Sequence, residues 1–286
     1  MSRPYRSVLY IPAARERALE KASGLATDAI IFDLEDAVAP EEKPAARDLL
    51  TRVLETADYG HRARIVRING FDTDWGRADA DALAQGLARG VRVDAVLVPK
   101  VGSPADLDAV AAVLPGVDLW AMMETASGIC NAGQIAAHPA LTGMVMGTND
   151  LAKELGCRFR ADRLPLQASL GLCMLAARAQ GRVIIDGVFN AFKDEAGLRA
   201  ECEQGRDMGF DGKTLIHPAQ LDIANAAFAP SEAEVELAQR QIAAYDAARA
   251  AGHGVAVVDG RIVENLHIQT AQATLDRVQA IAEMAE

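Results

Sequence analysis

Short apolar runs alternate along the chain with longer amphipathic stretches. The runs are SVLYIP (7–12), AIIFDLE (29–35), RIVRIN (64–69), AVLVPK (95–100), DLWAMME (118–124), GMVMGT (143–148), VIIDGV (183–188) and GKTLIH (212–217). Most are nearly continuous in apolar character, the mark of parallel strands covered on both faces. The stretches between them carry helix-start signals. Ser103-Pro104 offers an N-cap and a first-turn proline followed by Asp106, and Pro40-Glu41-Glu42 puts negative charge at another helix start. Ser231 and Glu234 form a capping box that opens a helix to about Arg249.

Eight such units predict a closed (β/α)8 TIM barrel over residues 1–229. A C-terminal helical extension follows over 230–286, made of the capped helix, a Gly-containing link and a last helix near 267–284. A doubly wound open sheet is the structural alternative, but neither a GxGxxG nor a Walker sequence supports it.

Composition narrows the chemistry. Half of the residues are hydrophobic and only 5% aromatic, so Ala, Val, Leu, Ile and Met must build the core. A net charge of −11, from 29 basic and 40 acidic residues, disfavours nucleic-acid binding. An anionic substrate then needs a local pocket of Arg or Lys. Cys130, Cys157, Cys173 and Cys202 show no metal-binding or disulfide spacing and read as reduced thiols. No apolar run approaches membrane-spanning length, and the first run is too short for a signal peptide, so a cytoplasmic location is expected.

Barrel active sites lie at the C-terminal ends of the strands. Those ends carry Asp33, Glu35 and Asp36, then Arg67 and Asn69, Lys100, Glu124, Asn149 and Asp150, Asp186, and finally Lys213 and His217. Strand alternation places Ile31, Asp33 and Glu35 on one face of the second strand, and by the same parity Arg67 and Asn69 point together in the third. The outer faces must meet helices, so the acidic set is expected inside. Asp33 would there be neutralised by Arg6, Arg67 or Lys100. Oxygen ligands without Cys or His clusters suit Mg²⁺, which takes one or two carboxylates, and Glu124 with Asp150 fits that habit.

The motifs RSVLYIP, FDLEDAVAPEEK, VRIN, VPKV, METASGI, GTNDLAKELG and GFDGKTLIHPAQL resemble, in this order, the citrate lyase β-subunit family. That HpcH/HpaI aldolase group includes malyl-CoA and citramalyl-CoA lyases. The resemblance implies that Glu124 and Asp150 bind Mg²⁺, that Arg67 holds substrate oxygens beside it, and that Tyr10, Arg15 and Lys21 contact coenzyme A. It gives Glu35 and Asp36 the task of orienting metal-bound water and Arg67. In related lyases a DG-x-(M/I)-(I/V)-D segment brings an Asp to a neighbouring subunit's site. Here the matching segment, VVDGRIVENLH, presents Glu264 instead, which leaves the acid/base group between Glu264 and Asp36.

The activity so implied is Mg²⁺-dependent carbon–carbon cleavage of a β-hydroxyacyl-CoA to acetyl-CoA and an α-keto acid by a homo-oligomer, a trimer or hexamer. The competing readings are a citrate lyase β subunit working on an acyl-carrier partner, a thioesterase, and a silent acyl-CoA-binding subunit. Each residue also has a plain structural reading. Glu124 and Arg67 could be ordinary ion-pair partners, Asp150 a helix cap, Lys100 a protonated structural lysine and His217 a hydrogen-bonded strand-end residue. Arg15 and Lys21 could be solvated surface charges, and Glu264 could simply flank a helix.

Overall fold

A computed structural model describes residues 3–284 as two compact units, Tyr5–Phe228 and the segment from Ala229 together with the residues before Tyr5. The larger unit is a closed barrel of eight parallel strands in sequence order. They are β1 (Ser7–Pro12), β2 (Ala29–Asp33), β3 (Ala63–Arg67), β4 (Ala95–Val98), β5 (Leu119–Met123), β6 (Leu141–Met146), β7 (Val183–Asp186) and β8 (Gly212–Leu215). β1 closes the ring on β8 through Ser7 opposite Lys213. The chain is therefore a (β/α)8 TIM barrel with C-terminal helices.

Alternation along the strands separates two cores. Val8, Ala29, Ile31, Ile65, Leu97, Trp120, Met122, Val145 and Ile185 fill the barrel interior. The other faces pack under helices, as with Leu9, Ile30, Phe32, Val66 and Val96. The helix signals mark real starts. Helix Pro104–Ala111 has Ser103 at its N-cap, helix Glu232–Ala250 has Ser231, and Pro40–Glu42 is a 3-10 turn leading into helix Lys43–Thr56.

Parity also corrects three expectations. Ile185 points inward, so Asp186 points outward, and so does Lys213. Lys213 Nζ lies 3.1 Å from Asp186 Oδ2 and 2.7 Å from Glu201, and Arg163 Nη1 lies 2.7 Å from both Asp186 oxygens. This buried ion cluster holds helix Glu195–Met208 against the barrel; none of its members lines the cavity that holds Arg67 and Glu124, although Arg163 and Glu201 line a neighbouring one. Asn69 does not share a face with Arg67, because β3 ends at Arg67 and the chain turns. Its amide donates to Leu34 O and Asp79 and accepts from Lys43 Nζ.

In the smaller unit, helices Glu232–Ala250 and Asn265–Glu283 pack on each other around Ala238, Ala271 and Ala280. The Gly-containing link is not a plain loop. Ala256–Val258 and Arg261–Val263 pair as an antiparallel hairpin, turning through Asp259 and Gly260, both at positive φ. Arg240 clamps that turn through two hydrogen bonds to Asp259, of 2.7 and 2.9 Å.

Candidate active site

The inward side chains at the C-terminal ends of the strands surround a cavity of about 300 Å³. Its polar lining includes Tyr10, Asp33, Asp36, Arg67, Glu124 and Asp150. Met122, Met146, Val188 and Ile216 supply the apolar wall.

Arg67 organises the acidic side. Its guanidinium grips Asp33 in a two-pronged contact, Nε to Oδ1 at 2.7 Å and Nη2 to Oδ2 at 2.6 Å. The remaining nitrogen, Nη1, lies 2.9 Å from Glu35 and 3.7 Å from Asp36. Among the candidate partners for Asp33 the structure thus selects Arg67, while Arg6 is occupied by Asp28. The Tyr10 ring covers Arg67 at 5.0 Å, and burial pushes its phenol pKa up. Asp33 also accepts the N–H groups of Glu35 and Ala37, which fixes the turn after β2. Buried Lys43 completes that turn by donating to the carbonyls of Leu34 and Glu35, and burial lowers its pKa.

Glu124 follows β5 and is 2% exposed. Its Oε1 accepts the backbone N–H of Lys100 at 2.8 Å. Oε2 lies against Gly147, where any Cβ would overlap it, so only glycine lets the β6 backbone approach this carboxylate. Burial and then the neighbouring Glu35 push Glu124 up to about 8, against the Lys100 N–H and Arg67, while Asp150 raises it further. Glu35 is likewise raised by burial, opposed by Arg67 and Lys100. Lys100 Nζ lies 3.0 Å from Glu35, which keeps the ammonium charged.

Asp150 lies inside the first turn of helix Thr148–Glu154, and its side chain does not cap that helix. The plain reading of Asp150 as an N-cap is therefore excluded. Asp33, Glu35, Asp36, Glu124 and Asp150 outnumber the cations that the described residues place near them, Arg67, Lys100 and Lys43. A proton pushed onto Glu124 is one answer to that surplus, and a hard divalent cation is the other. The described residues hold no group of three or more His, Cys, Asp or Glu close enough to cage a metal. Glu124 and Asp150, two carboxylates on one cavity, still fit Mg²⁺ with its other positions left to water and substrate oxygens.

The structure does not bring all the sequence candidates together. Glu35 sits one layer back, lining a separate cavity with Lys100, Lys43 and Trp75. Arg15 and Lys21 lie on exposed surface around helix Glu16–Ala22, with Arg15 3.7 Å from Glu42. Glu264 belongs to the C-terminal unit, at the N-cap position of helix Asn265–Glu283, and its N–H donates to His267 Nδ1. His217 Nδ1 accepts the Ala219 N–H and caps the turn after β8.

Sequence reasoning missed Asn190. Its amide exchanges two hydrogen bonds with Asn149, of 2.8 and 3.2 Å, across the cavity wall. Reading two residues beyond the seventh apolar run would have found it.

Comparison with known proteins places these features in context. Residues 6–218 match HpcH/HpaI aldolase/citrate lyase. The chain is 71% identical over 279 residues to a (3S)-malyl-CoA thioesterase of Cereibacter sphaeroides, covering 98% of this chain and 96% of that protein. It is 33% identical over 312 residues to an L-malyl-CoA/beta-methylmalyl-CoA lyase of the same organism, with the same coverage. Among solved structures, CitE of Mycobacterium tuberculosis in complex with magnesium, acetoacetate and coenzyme A superposes with a TM-score of 0.81. That pair is 32% identical and covers 97% of this chain and 98% of CitE.

Proposed function

The chain belongs to the HpcH/HpaI aldolase/citrate lyase family, and from that premise we propose that it hydrolyses the thioester of a malyl-type 3-hydroxyacyl-CoA. The products are the free hydroxy acid and CoA. The observation that carries this reading is the 71% identity to a (3S)-malyl-CoA thioesterase along nearly the whole chain. It displaces carbon–carbon cleavage, the activity expected from the motifs, to second place.

Glu124 and Asp150 would hold Mg²⁺, which when bound supplies positive charge to substrate oxygens. The residues of the chain account for the rest. Arg67 Nη1, which is not bound to Asp33 and lies 2.9 Å from Glu35, would turn an N–H to the oxygen that gains charge as water adds to the thioester carbon. Asp36, with a side chain 57% exposed beside Arg67, is the group placed to take a proton from that water. The carbon–sulfur bond then breaks, and the thiolate leaves with the electron pair and is protonated to the thiol. Glu35 and Lys100 act behind Arg67 and Glu124 by holding them in place. Tyr10 covers Arg67 and shields its ion pairs from water. Glu264 is a carboxylate that the C-terminal unit of another copy would deliver, which makes a homo-oligomer the working form.

Lyase action is the second reading, supported by the 33% identity to an L-malyl-CoA/beta-methylmalyl-CoA lyase of matching length. The same arrangement could stabilise an enolate at Arg67 instead of a tetrahedral oxyanion. Incubation with (3S)-malyl-CoA separates the two. Free thiol rising one-for-one with substrate loss, with no phenylhydrazine-reactive keto acid, is the expected outcome; keto acid without free thiol would reject hydrolysis. Turnover of the free CoA ester without a carrier protein also separates this enzyme from a citrate lyase β subunit.

A further inference from the structure

A second cavity, of about 410 Å³, opens beside the catalytic one after β6 and β7. Thr148, Asn149, Val188 and Asn190 line both, so the two share a wall that includes the paired asparagines. Asp33, Arg67, Glu124 and Asp150 line only the catalytic one of the two. The lining of the second sets three arginines, Arg158, Arg160 and Arg163, beside apolar Phe159, Leu166 and Phe189.

The three arginines are not equally committed. Arg160 is held by Asp162 through two hydrogen bonds, of 2.7 and 2.9 Å. Arg163 is 5% exposed and gives Nη1 to Asp186 and Nε to Gln204. Its remaining nitrogen, Nη2, is buried and has no hydrogen-bond partner among the described residues. A buried donor left unpaired is costly, and folded proteins leave few of them without a partner, a water or a ligand. Exposed Arg158 makes no hydrogen bond or ion pair among the described residues. One whole guanidinium and one nitrogen of another are thus uncommitted on this cavity.

Charge and wall narrow the class of ligand. Glu201 also lines the cavity, 2.7 Å from Lys213, and it would repel a doubly charged phosphate more than a singly charged carboxylate. A planar carboxylate also matches the fork of guanidinium donors. Phe159 is 66% exposed and offers an aromatic surface that an apolar chain would cover. We propose that this cavity binds a small monocarboxylic acid with an apolar body, its carboxylate toward Arg158 and Arg163 and its chain along Phe159. The site is independent of which reaction the catalytic cavity performs. A bound acid lies against the Asn149–Asn190 wall, one residue along the chain from Asp150.

Hexanoate, acetate and hexanol are the probes, titrated into the full-length protein without added divalent metal and followed by ligand-observed NMR. Hexanoate should bind saturably and about tenfold more tightly than acetate, which lacks the chain, and than hexanol, which lacks the charge. Arg158→Gln, an exposed change that breaks no hydrogen bond or ion pair among the described residues, should weaken hexanoate about tenfold. Phe159→Ser should erase most of the gain of hexanoate over acetate. Inorganic phosphate at equal concentration should not displace hexanoate. Absence of saturable hexanoate binding would overturn the site and leave Arg163 Nη2 to a water molecule. Hexanoate affinity unchanged in Arg158→Gln would overturn it as well, since the acid then binds elsewhere. Displacement by phosphate, or hexanol binding as tightly as hexanoate, would overturn the carboxylate assignment.

Discussion

The backbone N–H of Lys100 donates a 2.8 Å hydrogen bond to Glu124 from a left-handed conformation, φ 52°, that side-chain-bearing residues rarely adopt. The same residue sends its ammonium to Glu35. One strained residue thus aims a buried carboxylate by its backbone and holds a second by its side chain. Strain of this kind persists where the surroundings over-determine it.

Backbone strain and charge at Lys100 are separable. Lys100→Gly and Lys100→Ala both remove the half-exposed ion pair, worth about 1 kcal/mol or less. Only glycine adopts positive φ without penalty, so Lys100→Gly should be more stable than Lys100→Ala by about 1 kcal/mol in urea unfolding. Equal stabilities would show that the left-handed geometry is relaxed in solution.

Glu124 makes the metal-free protein pH-sensitive. Its folded pKa, about 8, lies above the unfolded value of about 4.3. The folded state therefore binds the proton more tightly, and stability should fall as pH rises from about 4.3 to about 8. Glu124→Gln should flatten that slope, raise the melting temperature of the metal-free protein at neutral pH, and abolish turnover. Mg²⁺ must displace the same proton, so its calorimetric affinity should rise about tenfold per pH unit below about 8. An affinity independent of pH would remove Glu124 from the ligand set.

Arg67 and Asp33 are both buried, with two short hydrogen bonds between them. Arg67→Ala leaves Asp33 without its cation and should cost about 3–5 kcal/mol in denaturant unfolding. Arg67→Lys keeps the charge but loses the fork, so it should recover part of that stability and little activity. A loss below about 1 kcal/mol in Arg67→Ala would contradict the ion pair.

The Asp186–Arg163–Lys213 cluster should affect folding alone. Burial acts to raise Asp186, but Lys213 and Arg163 overcome it and hold its carboxyl below the usual range. Its stabilising effect is therefore complete above the unfolded pKa of about 3.9 and is lost as pH falls through the folded value. Asp186→Asn should weaken that acid limb and leave kcat/KM of the folded enzyme within about threefold. A large loss of kcat/KM would place Asp186 in the site after all.

Much of the barrel was legible because eight apolar runs each marked a strand, and inward parity then located Asp33, Arg67 and Glu124 at one mouth. Strand length was not legible in the same way. Alternation predicted that Asn69 follows Arg67 inward, but the chain turns at Arg67 and Asn69 braces Lys43 and Asp79. Nor did residue type alone reveal Asp186 and Lys213 as outward-facing; inside and outside faces are both apolar in a covered sheet, so polarity could not choose between them. The hairpin around Asp259-Gly260 had a signal, an Asp-Gly pair between β-branched residues, that was available and went unread. The reaction was the least legible feature, since carbon–carbon cleavage and thioester hydrolysis would both draw on a cation and carboxylates at the same strand ends.

Isotope incorporation tests hydrolysis most directly. The enzyme is incubated with (3S)-malyl-CoA and Mg²⁺ in water enriched in oxygen-18, and the products are resolved by mass spectrometry. Hydrolysis should yield free CoA and an intact malate carrying one heavy oxygen in a carboxylate. Glyoxylate with acetyl-CoA, and no labelled malate, would contradict it.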